Sequence, residues 1–148
     1  MSLFWLPGCQ IKIDTGLFVS ISLQPNIFEQ IFFMSNLVQE FNDYRTKMNE
    51  VILSKDNLVI KRLWNLDTNT YAEGALSTQT KEMLGLVASM VLRCDDCIKY
   101  HLGKCHEEGI STAQMYEIFA VANIVGGTIV IPHTRRAAEY WEELIASA

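Results

Sequence analysis

The chain has 148 residues, 49% of them hydrophobic, which is the length of about one domain and enough apolar material for a sizeable core. Its formal net charge of -5 offers no general attraction to phosphate backbones, and no run of Lys or Arg reverses this locally, so nucleic acid is not an expected partner. Four cysteines occur, Cys9, Cys94, Cys97 and Cys105, and only two stand in a tight pair. That pattern is not a framework of structural disulfides, and a reducing, cytoplasmic setting is expected.

Residues 1–35 form a stretch rich in Leu, Ile and Phe that makes a poor targeting signal. No Lys or Arg precedes Lys12, and Pro7, Gly8, Asp14 and Pro25 break the apolar runs well short of the ~18 residues needed to cross a bilayer. The box Leu6-Pro7-Gly8-Cys9 is a weak match to a lipoprotein cleavage site, because the segment before it is short and uncharged. Residues 1–35 are therefore expected to be an apolar arm, with Val19 to Leu23 extended, packed on the domain or on a neighbouring subunit, and no membrane association is expected. Residues 36–148 are expected to hold the folded domain.

From Asn36 the period becomes helical. Leu37, Phe41, Tyr44, Met48, Val51 and Ile52 recur at three- and four-residue spacing and predict one face of an amphipathic helix ending near Ser54. A second helix is expected from Asn57 to Leu66, interrupted by the turn-favouring Asp67-Thr68-Asn69. Ser77 or Thr78 caps a third helix through Met83, Leu86, Val87, Met90 and Val91, and the polar Arg93-Cys94-Asp95-Asp96 predicts a break. A fourth helix runs from Cys97 to Glu108 and stops at Gly109, and Ser111 or Thr112 starts a fifth through Phe119 and Ala122. Gly126-Gly127 separates that from a last segment whose start Pro132 restricts. The fold class expected is all-α, a bundle of about six helices, with no internal repeat and no low-complexity tract.

Cys94, Cys97, His101 and Cys105 stand at offsets 0, 3, 7 and 11, on one stripe of a continuous helix. Residues three apart in a helix have Cα atoms roughly 5 Å apart, inside the window a disulfide tolerates, so Cys94 and Cys97 can cycle between dithiol and disulfide. A thiol gains reactivity from a helix N-terminus and from an adjacent imidazole. Asp95 or Asp96 is available to cap that helix, and His101 lies one turn beyond Cys97. Glu82 is twelve residues before Cys94, about 18 Å along a straight helix, so contact requires a reversal. If the chain turns at Arg93 to Asp96, the Glu82 carboxylate approaches His101 from the facing helix, orients it and accepts its proton.

Glu82, then eleven residues, then Cys94-Asp95-Asp96-Cys97, three residues and His101, resembles the active-site motif of the alkylhydroperoxidase D-like branch of the carboxymuconolactone decarboxylase family. The resemblance covers roughly 41–144 and includes the stretch from Val125-Gly126-Gly127 to Pro132-His133. It implies an all-α fold assembled as trimers or hexamers, with the site near subunit contacts. It further implies that Cys97 is the thiolate that attacks a hydroperoxide, activated through His101 and Glu82 with a water, that Cys94 closes the disulfide, and that a dithiol such as a lipoyl group on a partner returns the electrons. Position 96 departs from the pattern, since the peroxidase often carries a histidine there. Asp96 puts a carboxylate beside Cys97, which disfavours a thiolate. Helix-start physics usually activates the first cysteine of such a pair, but His101 is four residues from Cys97 and seven from Cys94, so the local base also favours Cys97.

Several blander roles stand beside these. One zinc ion cannot take ligands spread over eleven residues of straight helix, roughly 16 Å, and Ile98 rather than His follows Cys97, which excludes haem attachment. No cofactor and no metal are therefore expected. Cys105 reads as an inert buried thiol, His106 as solvent-facing, His133 as capping or structural, and Trp5, Trp64 and Trp141 as core or interface anchors. The leading expectation is a thiol enzyme reducing hydroperoxides or disulfides. The alternatives are a decarboxylase acting on a small lactone acid and a non-enzymatic oligomeric redox sensor.

Overall fold

The order of elements follows from where the chain can cap and end helices. The computed structural model describes residues 37–147, so the expectations for residues 1–35, including the extended stretch near Val19 and the role of Trp5, fall outside the described residues. Among those described, the chain forms six α-helices and a short 3-10 turn, with no strand. They are α1 (Leu37–Leu53), α2 (Leu58–Tyr71), α3 (Thr78–Leu92), α4 (Asp95–Glu107), α5 (Thr112–Gly126), the turn Thr128–Val130, and α6 (Ile131–Ala146).

The caps are the small polar residues. Asn57 accepts from the backbone of Val59 and Ile60, Ser77 accepts from Thr80, and Ser111 forms a reciprocal capping box with Gln114. Each such cap contributes about 1 kcal/mol. Pro132 occupies the first turn of α6, where its missing N–H costs nothing. Two helices end in the same hydrogen-bond pattern. At the end of α4, Gly109 has φ 77°, its N–H donates to His106, and that of Ile110 donates to Cys105. At the end of α3, Arg93 takes the left-handed conformation at φ 61°, its N–H donates to Met90, and that of Cys94 donates to Ser89.

The core lies between α3, α4, α5 and α6. Leu86, Met90, Leu102, Cys105, Met115, Phe119, Ala122, Val130, Tyr140 and Trp141 are buried in it. Burying a large apolar side chain contributes about 2–3 kcal/mol, so Trp141, whose indole N–H donates to Thr112 at 3.4 Å, anchors α6 across the start of α5. Trp64 is only partly covered.

One expectation is corrected here. Asp67-Thr68-Asn69 does not break α2, because the Thr68 and Thr70 hydroxyls and the Asn69 amide donate back to carbonyls four residues earlier, and the helix continues to Tyr71. Along the apolar face of α1, Phe41 is buried edge-on against Tyr140 of α6, Leu37, Met48 and Ile52 are half-buried, and Tyr44 and Val51 are exposed. Only the start of α1 reaches the core, through Phe41 and the Val38 N–H donated to Glu143.

Candidate functional site

The left-handed turn at Arg93 sends α4 back along α3, and Cys94 sits at the junction with two duties. Its backbone N–H closes α3, and its sulfur caps α4 by accepting from the Cys97 N–H at 3.4 Å. This corrects the expectation that Asp95 or Asp96 caps the helix and that all four residues lie within it: α4 begins at Asp95, and Cys94 precedes the stripe formed by Cys97, His101 and Cys105. Cys94 and Cys97 are joined as a disulfide, with Cα atoms 5.3 Å apart. Cys97 is exposed and Cys94 partly so, at the helix end where unpaired N–H groups favour negative sulfur.

The reversal brings Glu82 and His101 together. Glu82 Oε2 lies 2.7 Å from His101 Nδ1, and both residues are buried, at 2% and 7% exposure. A carboxylate only accepts, so Nδ1 carries the hydrogen that points at Glu82, and in the neutral tautomer Nε2 is the nitrogen left as a base. No buried side-chain nitrogen or oxygen among the described residues lacks a hydrogen-bond partner.

Three residues that the sequence did not single out surround the imidazole. Tyr71 and Tyr100 flank the imidazole, with ring centroids 5.3 and 5.2 Å from it. Burial, and then the Glu82 carboxylate, raise both phenol pKa values, so both rings are neutral hydroxyl donors at pH 7. Tyr100 in turn lies under the Arg45 guanidinium, 4.3 Å from the ring centre. Lys81 holds the end of α2, and with it Tyr71, by donating to the carbonyls of Thr70 and Ala72. The third residue is Gly85, one turn after Glu82. A Cβ there would lie 2.5 Å from His101 Cε1, 2.8 Å from Nε2 and 2.7 Å from the Tyr71 hydroxyl. A glycine inside a helix costs about 1 kcal/mol relative to Ala. That cost was the available signal that something approaches the backbone there.

The remaining candidates fall as follows. Cys105 is buried, and burial followed by the charges of Glu82 and Glu108 pushes its thiol up to about 12, so it remains an inert thiol. His106 is not simply solvent-facing, for it packs edge-on against Trp141 at 5.8 Å. His133 hydrogen bonds Asp95 at 2.7 Å. Among the described residues no three His, Cys, Asp or Glu side chains converge to hold a metal ion, and no helix is long and apolar enough to cross a membrane.

Known proteins share this architecture. Residues 58–140 match the model of the carboxymuconolactone decarboxylase family. Two structures of TM1620 from Thermotoga maritima are 50% identical to the chain. The first superposes with a TM-score of 0.72 and covers 74% of this chain and 96% of that one. The second has a TM-score of 0.69, covers 72% and 91%, and is named as a family protein with a suggested part in antioxidative response. The family protein lpg0406 from Legionella pneumophila, 19% identical with a TM-score of 0.69 over 74% of this chain and 98% of that one, shares the fold. A curated relative from Paracoccus denitrificans, named uncharacterized protein 4 in cox locus, is 27% identical over 74 residues, 50% of this chain and 67% of its own. The family model spans more than half of the chain and agrees with the half-identical structures, so the chain belongs to the carboxymuconolactone decarboxylase family, with the motif of its alkylhydroperoxidase D-like branch.

Proposed function

We propose that the protein is a thiol peroxidase that reduces hydroperoxides through the Cys94/Cys97 dithiol, with Glu82 and His101 as its proton relay. The observation that carries this reading is the buried 2.7 Å contact between Glu82 and His101, which engages Nδ1 and leaves Nε2 as the second ring nitrogen, on the helix that carries Cys97 one turn earlier. The TM1620 name, with its antioxidative association, supports it from outside.

The chemistry runs as follows. His101 Nε2, directly or through a water, takes the Cys97 proton while Glu82 steadies the resulting imidazolium. The Cys97 thiolate attacks the terminal oxygen of a hydroperoxide, the O–O bond breaks, and the departing alkoxide takes a proton from His101 to leave as alcohol. Cys97 is then a sulfenic acid. The Cys94 sulfur attacks it, water leaves, and the disulfide forms. An external dithiol, such as a lipoyl group on a partner, reduces this bond through a mixed disulfide and becomes a disulfide itself. The exposure of Cys97 supports attack by such a donor.

The working form is a homo-oligomer, a trimer or hexamer. Val59, Leu63 and Leu66 on α2 and Val121, Ile124 and Val125 on α5 are exposed apolar residues, more than a lone chain readily keeps in water.

Steady-state turnover of hydroperoxide with dihydrolipoamide or dithiothreitol tests the enzyme reading. Cys97→Ser and Cys94→Ser each abolish turnover, and His101→Ala slows it by about 10²–10⁴-fold, the usual worth of a general base. Turnover surviving Cys97→Ser removes the proposal.

A further inference from the structure

Asp95 stands at the first position of α4, between the two cysteines, and is held from α6. Its Oδ1 lies 2.7 Å from His133 Nδ1, 3.2 Å from Arg136 Nε and 3.1 Å from Arg136 Nη2. An ionised carboxylate only accepts, so His133 Nδ1 carries a hydrogen and donates it. Arg136 Nη2 also lies 2.8 Å from that same Nδ1. A guanidinium only donates, so this is a meeting of two donors and not a hydrogen bond between them; both are drawn in by one carboxylate oxygen. Burial on its own raises the Asp95 pKa, but the hydrogen bonds from His133 and Arg136 outweigh it and hold the carboxyl below its ordinary value.

The first turn of α4 therefore carries two carboxylates beside the reactive sulfurs, and they are not equivalent. Each disfavours a neighbouring thiolate. Asp96 is exposed, so water screens it. Asp95 is answered by a permanent cation and an oriented imidazole that arrive from 41 and 38 residues away. We propose that His133 and Arg136 are positioning residues for the dithiol: by cancelling the charge of Asp95 at the start of α4, they keep Cys94 and Cys97 easy to ionise. The inference rests on the dithiol reading above and adds the control of that pair's reactivity. The other charged groups on these elements close in sequence to the pair are Arg93 at the end of α3 and Asp96 and Lys99 on α4, together with the buried Glu82 and His101.

A strut and a charge mask behave differently when cut. If the cluster only ties α4 to α6, removing either side loosens the turn alike. If it cancels charge, the sign depends on which side is removed. The test measures the rate of iodoacetamide alkylation of the reduced full-length protein against pH, mapped by mass to Cys94 and Cys97. Arg136→Gln is expected to raise the thiol pKa by about half a unit to one unit, and His133→Gln by less. Asp95→Asn is expected to lower it. Arg136→Lys keeps the charge and the wild-type value, and Asp95→Asn combined with Arg136→Gln, which removes both charges, lies between the two single variants and close to wild type. Asp95→Asn and Arg136→Gln moving the pKa in the same direction, or neither moving it, overturns the proposal. Should Arg136→Gln not fold, His133→Gln against Asp95→Asn applies the same test of sign. No peroxide is used, so a protein inactive as a peroxidase still answers this question, and a failed sign test leaves the peroxidase reading standing.

Discussion

Two imidazoles in this molecule sit 2.7 Å from a carboxylate, one at each end of the same functional stretch, and their surroundings make them different devices. Glu82 and His101 are buried between α3 and α4, with Gly85 beneath the ring edge and two tyrosines around it. Asp95 and His133 lie at the rim, where the Asp95 side chain is 45% exposed and shares its oxygen with Arg136. The contrast teaches that the distance between an imidazole and a carboxylate says little by itself. Burial decides whether the pair is an obligatory part of the core, and a third partner decides how far the charge of the carboxylate is answered.

Cutting the carboxylate from each pair sharpens the contrast most. Glu82→Ala strands His101 in the core and is expected to cost about 3 kcal/mol or more in chemical unfolding, the usual result of breaking a buried pair from one side. Asp95→Ala is expected to cost less than about 1 kcal/mol, because its contacts are screened by water. Equal losses would erase the distinction. Gly85→Ala is the next largest effect: its methyl group must displace either His101 or the Tyr71 hydroxyl, at about 1–3 kcal/mol for an overpacked site. Hydroperoxide turnover is expected to fall with it, whereas Gly103→Ala, where a Cβ meets nothing within 4 Å, leaves turnover unchanged.

The smallest effect is one of pH. Asp95 has a lowered folded pKa, so its contacts add stability above the unfolded carboxyl pKa of about 3.9 and lose it as pH falls through the lower folded value. Wild type and Asp95→Asn are therefore expected to differ slightly at neutral pH and to converge in unfolding free energy in the acid range below about pH 4. A gap that widens on acidification contradicts the assigned ionisation.

The buried pair was legible in the sequence and the rim pair was not, for a physical reason. Once a helix break is read at 93–96, two helices joined by so short a turn have few ways to pack, and Glu82 and His101 fall on facing stripes. Asp95 and His133 are 38 residues apart with a whole helix between them, and no local pattern announces that contact. The helix ends divide in the same way. Gly109 announces its left-handed turn by being glycine, while Arg93 performs the same closure with a side chain that carries no such signal. Cys94 as a cap was hidden too, because sulfur is an uncommon acceptor and two aspartates beside it are the stronger sequence-level candidates. The apolar period of α1 was read correctly as helix, but period alone does not say what covers the face, and only Phe41 is buried.

The most direct test treats the fully reduced protein with one equivalent of hydroperoxide and follows free thiols by mass mapping. A Cys94 to Cys97 bridge is expected, with Cys105 still a thiol, forming more slowly in His101→Ala. Thiols that survive unchanged, or a bridge that forms equally fast without the imidazole, would contradict the idea that this histidine activates the pair.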